Sequence, residues 1–433
     1  MSGAFQLSEL LHFLHQSPTP FHAVKHLLSR FKQAGFSALD ERDSWQLTVG
    51  QTYVYTRSDA SIVAFRLGQD LAERGLRIVG AHTDSPCLKL KPSPELTRHG
   101  CKQLGIEVYG GALLNPWFDR DLSLAGRVSG LNEQGALVSA LVNFERAIAC
   151  IPNLAIHLDR QANQNKSVNA QSDMNAILCR ADNNVSFQES LLEQVNKENP
   201  ELNMRRILDF NLSFYDVQPP ATIGLANDFI ASARLDNLLS CYLGAESLLA
   251  ADTDQTAVLI CNDHEEVGSC SEVGAQGTLL NDLVARLCMD EDRRQRCLRQ
   301  SVLFSVDNAH AIHPNFADKH DAEHAPKINA GPVLKYNADQ SYATSSDTAA
   351  FVRWLAEQEP GIDLQHFAVR ADMRCGSTIG PITAANTGLK TVDIGNAQWA
   401  MHSCRELAGV NDCSALFQLL QRFYSTTTAI HFS

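Results

Sequence analysis

The sequence predicts an α/β fold: a mixed sheet flanked by helices, interrupted by an inserted β-rich domain. Three observations predict it. Beyond residue 231, helical and strand-like runs alternate, which is the pattern of an α/β layer. Between about 95 and 225 short strand-like runs alternate with turns and with one polar stretch, DRQANQNKSVNAQSDMN, which reads as an exposed loop. The 433 residues also exceed what one ordinary core organises, so two domains are expected. The α/β domain is therefore placed at 1–92 and 231–433, and the insertion at 93–230.

Residues 7–35 read as helical, with a break and restart at Pro18 and Pro20. Strand-like runs follow at 52–57 (TYVYTR), 61–67 (SIVAFRL) and 77–82 (RIVGAH). Pro86, Pro92 and Pro94 then suggest that the chain leaves this layer. In the second half, ASARLDNLLSCYLGAESLLAA reads as a helix, TAVLIC as a strand, GTLLNDLVARLC as a helix and SVLFSVD as a strand. A helix at TAAFVRWLAEQ, a strand at LKTVDIG and a final helix at ALFQLLQRFYSTT complete the alternation.

Bulk properties narrow the function. A net charge of −13 leaves no basic excess to meet nucleic-acid phosphates or an anionic membrane surface. No apolar run approaches the roughly 20 residues that cross a bilayer. The N-terminus lacks a basic region before its apolar residues, carries Glu9, His12 and His15, and reads as an amphipathic helix rather than a signal peptide. The 12 cysteines form no CxxC pair, and several lie in apolar runs, as expected for buried free thiols in a reducing cytoplasm.

Ligands in open α/β sheets gather at the carboxyl ends of strands. Metal-type residues cluster at such places here. RIVGAHTDSP ends a strand in His82 and Asp84, whose i, i+2 spacing directs both to one side. SARLDN places Asp236 before a helix, and TAVLICNDHEEVG delivers Glu265 and Glu266. SVLFSVDNAHAIHP delivers Asp307, with His310 and His313 nearby, and DIGNAQWAMHSCRE presents His402. Ser403 and Glu406 read as a capping box that opens the last helix. Imidazole and carboxylate donors without thiolate suit zinc, with manganese or cobalt as substitutes. Two histidines and three or four carboxylates exceed what one catalytic zinc uses, which fits a dinuclear site. Adjacent glutamates then have a purpose, one as ligand and the other as a base. Asp84 reads as an outer acceptor that fixes the His82 ring.

Over essentially its whole length the chain resembles the aspartyl aminopeptidases, which are cocatalytic zinc metallopeptidases. The stretches that carry the resemblance are GAHTDSPCLKLKP, YGGALLNPWFDRDLSLAGRV, AIHLDR, SARLDNL, DHEEVGS, DNAHAIHPNF, CGSTIGPI and AMHSCRE. The resemblance implies two zinc ions bridged by Asp236, with His402 and Glu266 completing one site and His82 with Asp307 the other. It also implies Glu265 as general base and Asp84 as the residue that orients His82. The inserted domain is expected to build dimers that assemble into a dodecamer, with His157 lent to a neighbouring subunit's site. Peptides with a free N-terminus, Asp or Glu first, are the implied substrates. His310, Lys335 and Tyr342 match the family's substrate-binding candidates. Asp347 departs from this pattern, because a negative charge facing that pocket would weaken acidic specificity. Two rival readings stand beside this one: a related cocatalytic-zinc enzyme (a neutral-residue aminopeptidase, a deacylase or a carboxypeptidase), and a non-enzymatic metal-stabilised assembly protein.

Overall fold

A computed structural model describes residues 5–428, and the chain divides into two compact units. The first comprises 1–84, 220–401 and 406–433, and the second 85–219 with 402–405.

Among the described residues the first unit holds a nine-stranded sheet. Its order is Ser37–Ala38, Thr52–Arg57, Ser61–Arg66, Thr256–Asn262, Leu76–His82, Val302–Val306, Lys390–Gly395, Val333–Tyr336, Gln365–Ala368. The four strands from Thr256–Asn262 to Lys390–Gly395 run parallel, with antiparallel neighbours on both sides. The sheet is therefore mixed. In Leu76–His82 and Thr256–Asn262 every residue is buried, because helices cover both faces and a parallel strand then needs an unbroken apolar run.

Successive side chains serve opposite faces. Val79 and Leu259 join the core under helices Leu7–Gln16, Pro20–Gln33, Leu235–Ala250 and Val410–Ser425. Ile78, Val258 and Ile260 join that under Leu279–Leu287 and Glu291–Gln300. Each buried Leu or Ile contributes roughly 1.5–3 kcal/mol. Gly244 lets the helix Leu235–Ala250 lie close on the sheet: a Cβ there would stand 2.8 Å from Leu259 Cδ1 and 3.1 Å from Val79 Cγ1. A small sheet of Ala221–Ile223, Phe229–Ser232, Glu406–Gly409, Ala397–Trp399 and Ala309–His310 completes this unit.

The second unit is an antiparallel sheet in the order Leu137–Asn143, Leu122–Asn132, Met204–Asp216, Cys87–Arg98, Cys101–Tyr109, Ala176–Arg180. The helix Phe187–Glu198 buries Phe187, Leu191 and Val195 in the same core as Leu88, Leu104, Val128 and Phe214. Ser186 caps it, accepting from the Glu189 backbone N–H at 3.2 Å.

Several expectations need correction. Pro92 and Pro94 do not mark an exit; they lie inside Cys87–Arg98, where the pairing register shifts between Leu90 and Glu95 and a missing N–H is tolerated. The β-rich unit accordingly starts at Ser85. It stops at Pro219 rather than 230, because Ala221–Ile223 and Phe229–Ser232 pair within the small sheet of the first unit. The polar stretch contains two short helices, Ala162–Asn165 and Ala170–Asp173. Glu406 lies in a strand and the last helix begins at Val410, so Ser403 and Glu406 form no capping box. Helices Glu291–Gln300 and Ile379–Thr387 had no counterpart in the reading.

Candidate metal centre

His82 is the last residue of its strand and is 1% exposed. Its Nε2 lies 3.3 Å from Asp236 Oδ1 and 3.6 Å from Asp307 Oδ1. Its Nδ1 lies 3.1 Å from the Asp84 carbonyl oxygen and 3.4 Å from Asp84 Oδ1. A proton on Nδ1 serves those acceptors and leaves the Nε2 lone pair facing the carboxylates, the tautomer of a metal-ligating histidine.

Asp84 does more than orient this ring. Its Oδ1 accepts the Glu265 backbone N–H and its Oδ2 the Glu266 N–H, each at 3.1 Å. One residue thus anchors both, the histidine chiefly through its carbonyl and the turn that carries the glutamate pair through its carboxylate. That turn, Glu265–Val267, is bracketed by His264 at φ +64° and Gly268 at φ +94°.

Asp236 is held from two sides. The Asp236–Asn237 peptide is cis, and the Asp236 N–H donates to Glu406 Oε2 at 3.0 Å. Asn237 Nδ2 donates to the Val306 carbonyl at 2.8 Å, tying this segment to the strand that delivers Asp307. Asp307 donates its own N–H to Ile394 O at 2.9 Å. Gly395 makes room for it, since a Cβ there would stand 1.9 Å from the Asp307 carbonyl oxygen. Glu406 is buried beside the ligand set, and the capping-box reading had hidden this role.

The electrostatics are those of a crowded acidic site. Burial first, then Asp236, Glu265 and Asp84, push Glu266 up to about 11, against an opposing pull from His82. Burial, and then Asp307, Asp236 and Asp84, likewise push Glu265 up to about 7, His82 again opposing. Burial works against charge on His82, but its contacts with Asp236, Asp307 and Asp84 raise it well above the usual imidazole range. Carboxylates packed around one imidazole fit a dication, whose charge offsets their mutual repulsion. His82, Asp236 and Glu266 each offer a ligand atom, all within 4.8 Å of one another. Oxygen and imidazole donors of this kind suit zinc.

Lys335 is 1% exposed, and its Nζ lies 3.2 Å from both Asp307 Oδ2 and the Asn308 carbonyl oxygen. It also stands 4.9 Å above the Tyr342 ring. Tyr342 leads into a cavity of about 280 Å³, lined among others by His310, Phe367, Arg374, Gln398 and Trp399. Asp347 is not part of this lining; it occupies the first turn of the helix Ser346–Glu357, where a carboxylate complements the helix dipole. A larger cavity of about 690 Å³ lies among helices Leu7–Gln16, Pro20–Gln33 and Leu235–Ala250, away from the cluster, and its Arg30 is paired with Glu246.

Two candidates belong to the second unit. His402, at φ +68°, has Nδ1 3.2 Å from the Gly111 carbonyl oxygen. His157 lies in an exposed turn between Leu154, Ile156 and Leu158, which are 60%, 47% and 75% exposed.

Imidazole and carboxylate donors at the carboxyl ends of a mixed sheet define a metal-dependent hydrolase class. Comparison with known proteins narrows it. The model of the family described as Aminopeptidase I zinc metalloprotease (M18) matches residues 13–424, and the chain belongs to this family of zinc metallo-aminopeptidases. A probable M18 family aminopeptidase 2 of Stutzerimonas stutzeri (strain A1501) is 55% identical over 420 residues, 96% of this chain and 97% of its own. Its counterpart in Pseudomonas fluorescens (strain Pf0-1) is 54% identical over 420 residues, with the same coverage. A chain of the cryo-EM structure of the Ape4 and Nbr1 complex superposes with a TM-score of 0.92 at 35% identity, over 96% of this chain and 85% of that one. The S. cerevisiae mApe1 dodecamer gives 0.82 at 27% identity, over 96% and 95%.

Proposed function

We propose that this zinc metallo-aminopeptidase is of the aspartyl type and removes an N-terminal Asp or Glu from peptides through a dinuclear site. His82, Asp236, Glu266, Asp307 and His402 would hold the two zinc ions, and cobalt or manganese could substitute. When bound, zinc would supply Lewis acidity toward the scissile carbonyl and toward water near neutral pH.

The observation that carries the reading is the double anchorage of the Glu265–Glu266 pair on Asp84, which also orients His82. It fixes the turn that carries the two adjacent carboxylates; in this reading Glu266 ligates while Glu265 takes the proton of the attacking water and passes it to the leaving amine. Asp84 keeps the His82 ring in its tautomer. His157 of a neighbouring subunit donates to the oxyanion as it develops. That role requires a homo-oligomer, and the dodecamer formed by S. cerevisiae mApe1 is the assembly we assign. The enzyme works in the cytoplasm, on peptides rather than on nucleic acid or membrane. Acidic specificity is supported by the cavity lined by His310, Tyr342 and Arg374, which would surround the first side chain, with Lys335 behind the Tyr342 ring.

Turnover of Asp-, Glu-, Leu- and Lys-p-nitroanilide by the purified protein, with chelator and with zinc or cobalt restored, tests this. The expected result is chelator-sensitive release that favours Asp and Glu. Preference for Leu would discard the acidic specificity, and full activity in chelator would discard the metal assignment.

A further inference from the structure

We infer that Gln398 determines specificity in this cavity: its side-chain Nε2 donates a hydrogen bond to an oxygen at the end of the substrate's first side chain. The inference rests on the aminopeptidase reading above and adds a residue and a chemical selection rule to it.

Gln398 lies in the strand Ala397–Trp399, is 1% exposed and lines the cavity. The orientation of its amide follows from its neighbours. The Leu235 carbonyl can only accept, and it stands 3.0 Å from Asn308 Nδ2, which makes that atom the amide nitrogen. The same nitrogen lies 2.5 Å from Gln398 Oε1. Gln398 therefore gives its oxygen to Asn308 and turns its NH2 group away. That Nε2 is buried and has no hydrogen-bond partner among the described residues. Buried donors are nearly always satisfied, so one without a partner in a residue that lines the cavity points to a ligand acceptor there.

Several cationic groups nearby are already engaged, and Arg374, which also lines the cavity, is exposed to solvent. Lys335 is held on Asp307, and Arg370 is paired with Asp372 at 2.7 Å. His320 Nε2 accepts the His313 backbone N–H at 3.2 Å, and His313 Nδ1 accepts that of Asn315, also at 3.2 Å. A neutral donor recognises oxygen rather than charge. Gln398 therefore serves the carboxylates of Asp and Glu and the carboxamide oxygens of Asn and Gln, while an aliphatic side chain leaves it unmet.

Gln398→Glu tests this in the zinc-loaded full chain, because it keeps an acceptor for Asn308 and replaces the donor by an oxygen. Gln398→Met, which also lacks the donor, is the second variant. For both, kcat/KM with Asp-, Glu- and Gln-p-nitroanilide is expected to fall roughly 10- to 100-fold, mainly through KM, while Leu- and Ala-p-nitroanilide change less than about twofold. Zinc content is expected to stay at the wild-type level. Equal losses on Glu and Leu would reduce Gln398 to a structural role and overturn the inference, as would unchanged turnover of Glu. A wild type inactive on every substrate would instead overturn the aminopeptidase reading, before any variant is made.

Discussion

The ligand cluster and the cavity beside it are built by different means. His82, Asp236 and Asp307 sit at the ends of buried strands or at a helix start, and backbone hydrogen bonds to Ile394, Glu406 and the Asp84 carboxylate fix the segments that carry the cluster. The cavity is assembled from short segments around His310, Phe367, Arg374 and Gln398 that meet only in three dimensions. The first arrangement gives the precision that ligation and proton transfer need. The second gives a wall that can vary without moving the chemistry.

The same difference decided what the sequence disclosed. A buried parallel strand reads as an apolar run, so a run that stops in titratable residues stands out; His82, Asp84, Glu265, Glu266 and Asp307 were all visible in this way. The twofold hold of Asp84 on Glu265 and Glu266 was not visible, because it spans residues 181 and 182 positions apart. The contact of Lys335 Nζ with Asp307 was not visible either, because no local pattern encodes it. Gln398 carries no sequence signal at all; its open donor follows only from the chain Leu235–Asn308–Gln398. In the fold, Pro92 and Pro94 misled because a register shift absorbs them inside a strand.

The largest effect should come from the cluster itself. Glu265→Gln removes the proposed proton acceptor and keeps the shape and the anchored backbone. Its kcat is expected to fall by about 10²- to 10⁴-fold with zinc content unchanged. Turnover near the wild-type rate would remove Glu265 from the mechanism and leave the glutamate pair without a division of labour.

Asp84→Ala probes support rather than chemistry. It strips the carboxylate from His82 Nδ1, leaving the residue-84 carbonyl as acceptor, and removes the acceptor of two backbone N–H groups at once. Zinc affinity is expected to fall about 10- to 100-fold, and excess zinc should restore part of the activity. A variant that retains zinc as tightly as the wild type would show that the strand ends hold the ligands without this carboxylate, and would narrow the contrast between cluster and cavity.

The smallest effect belongs to the cavity's exposed edge. Arg374 is exposed and makes no hydrogen bond or ion pair among the described residues, in contrast to the buried Gln398 amide. An exposed guanidinium attracts an acidic side chain through water, so its contribution is small and screened by salt. Arg374→Met is expected to lower kcat/KM for Glu-p-nitroanilide about two- to fivefold at low ionic strength, with little change for Gln-p-nitroanilide. The loss should disappear near 1 M salt, where the Debye length is about 3 Å. The Gln398 variants should keep their defect under the same conditions, because a buried hydrogen bond is screened far less. If salt erased both defects alike, the cavity would be selecting charge through a diffuse field, and the distinction between a buried oxygen-reading donor and an outer cation would not hold.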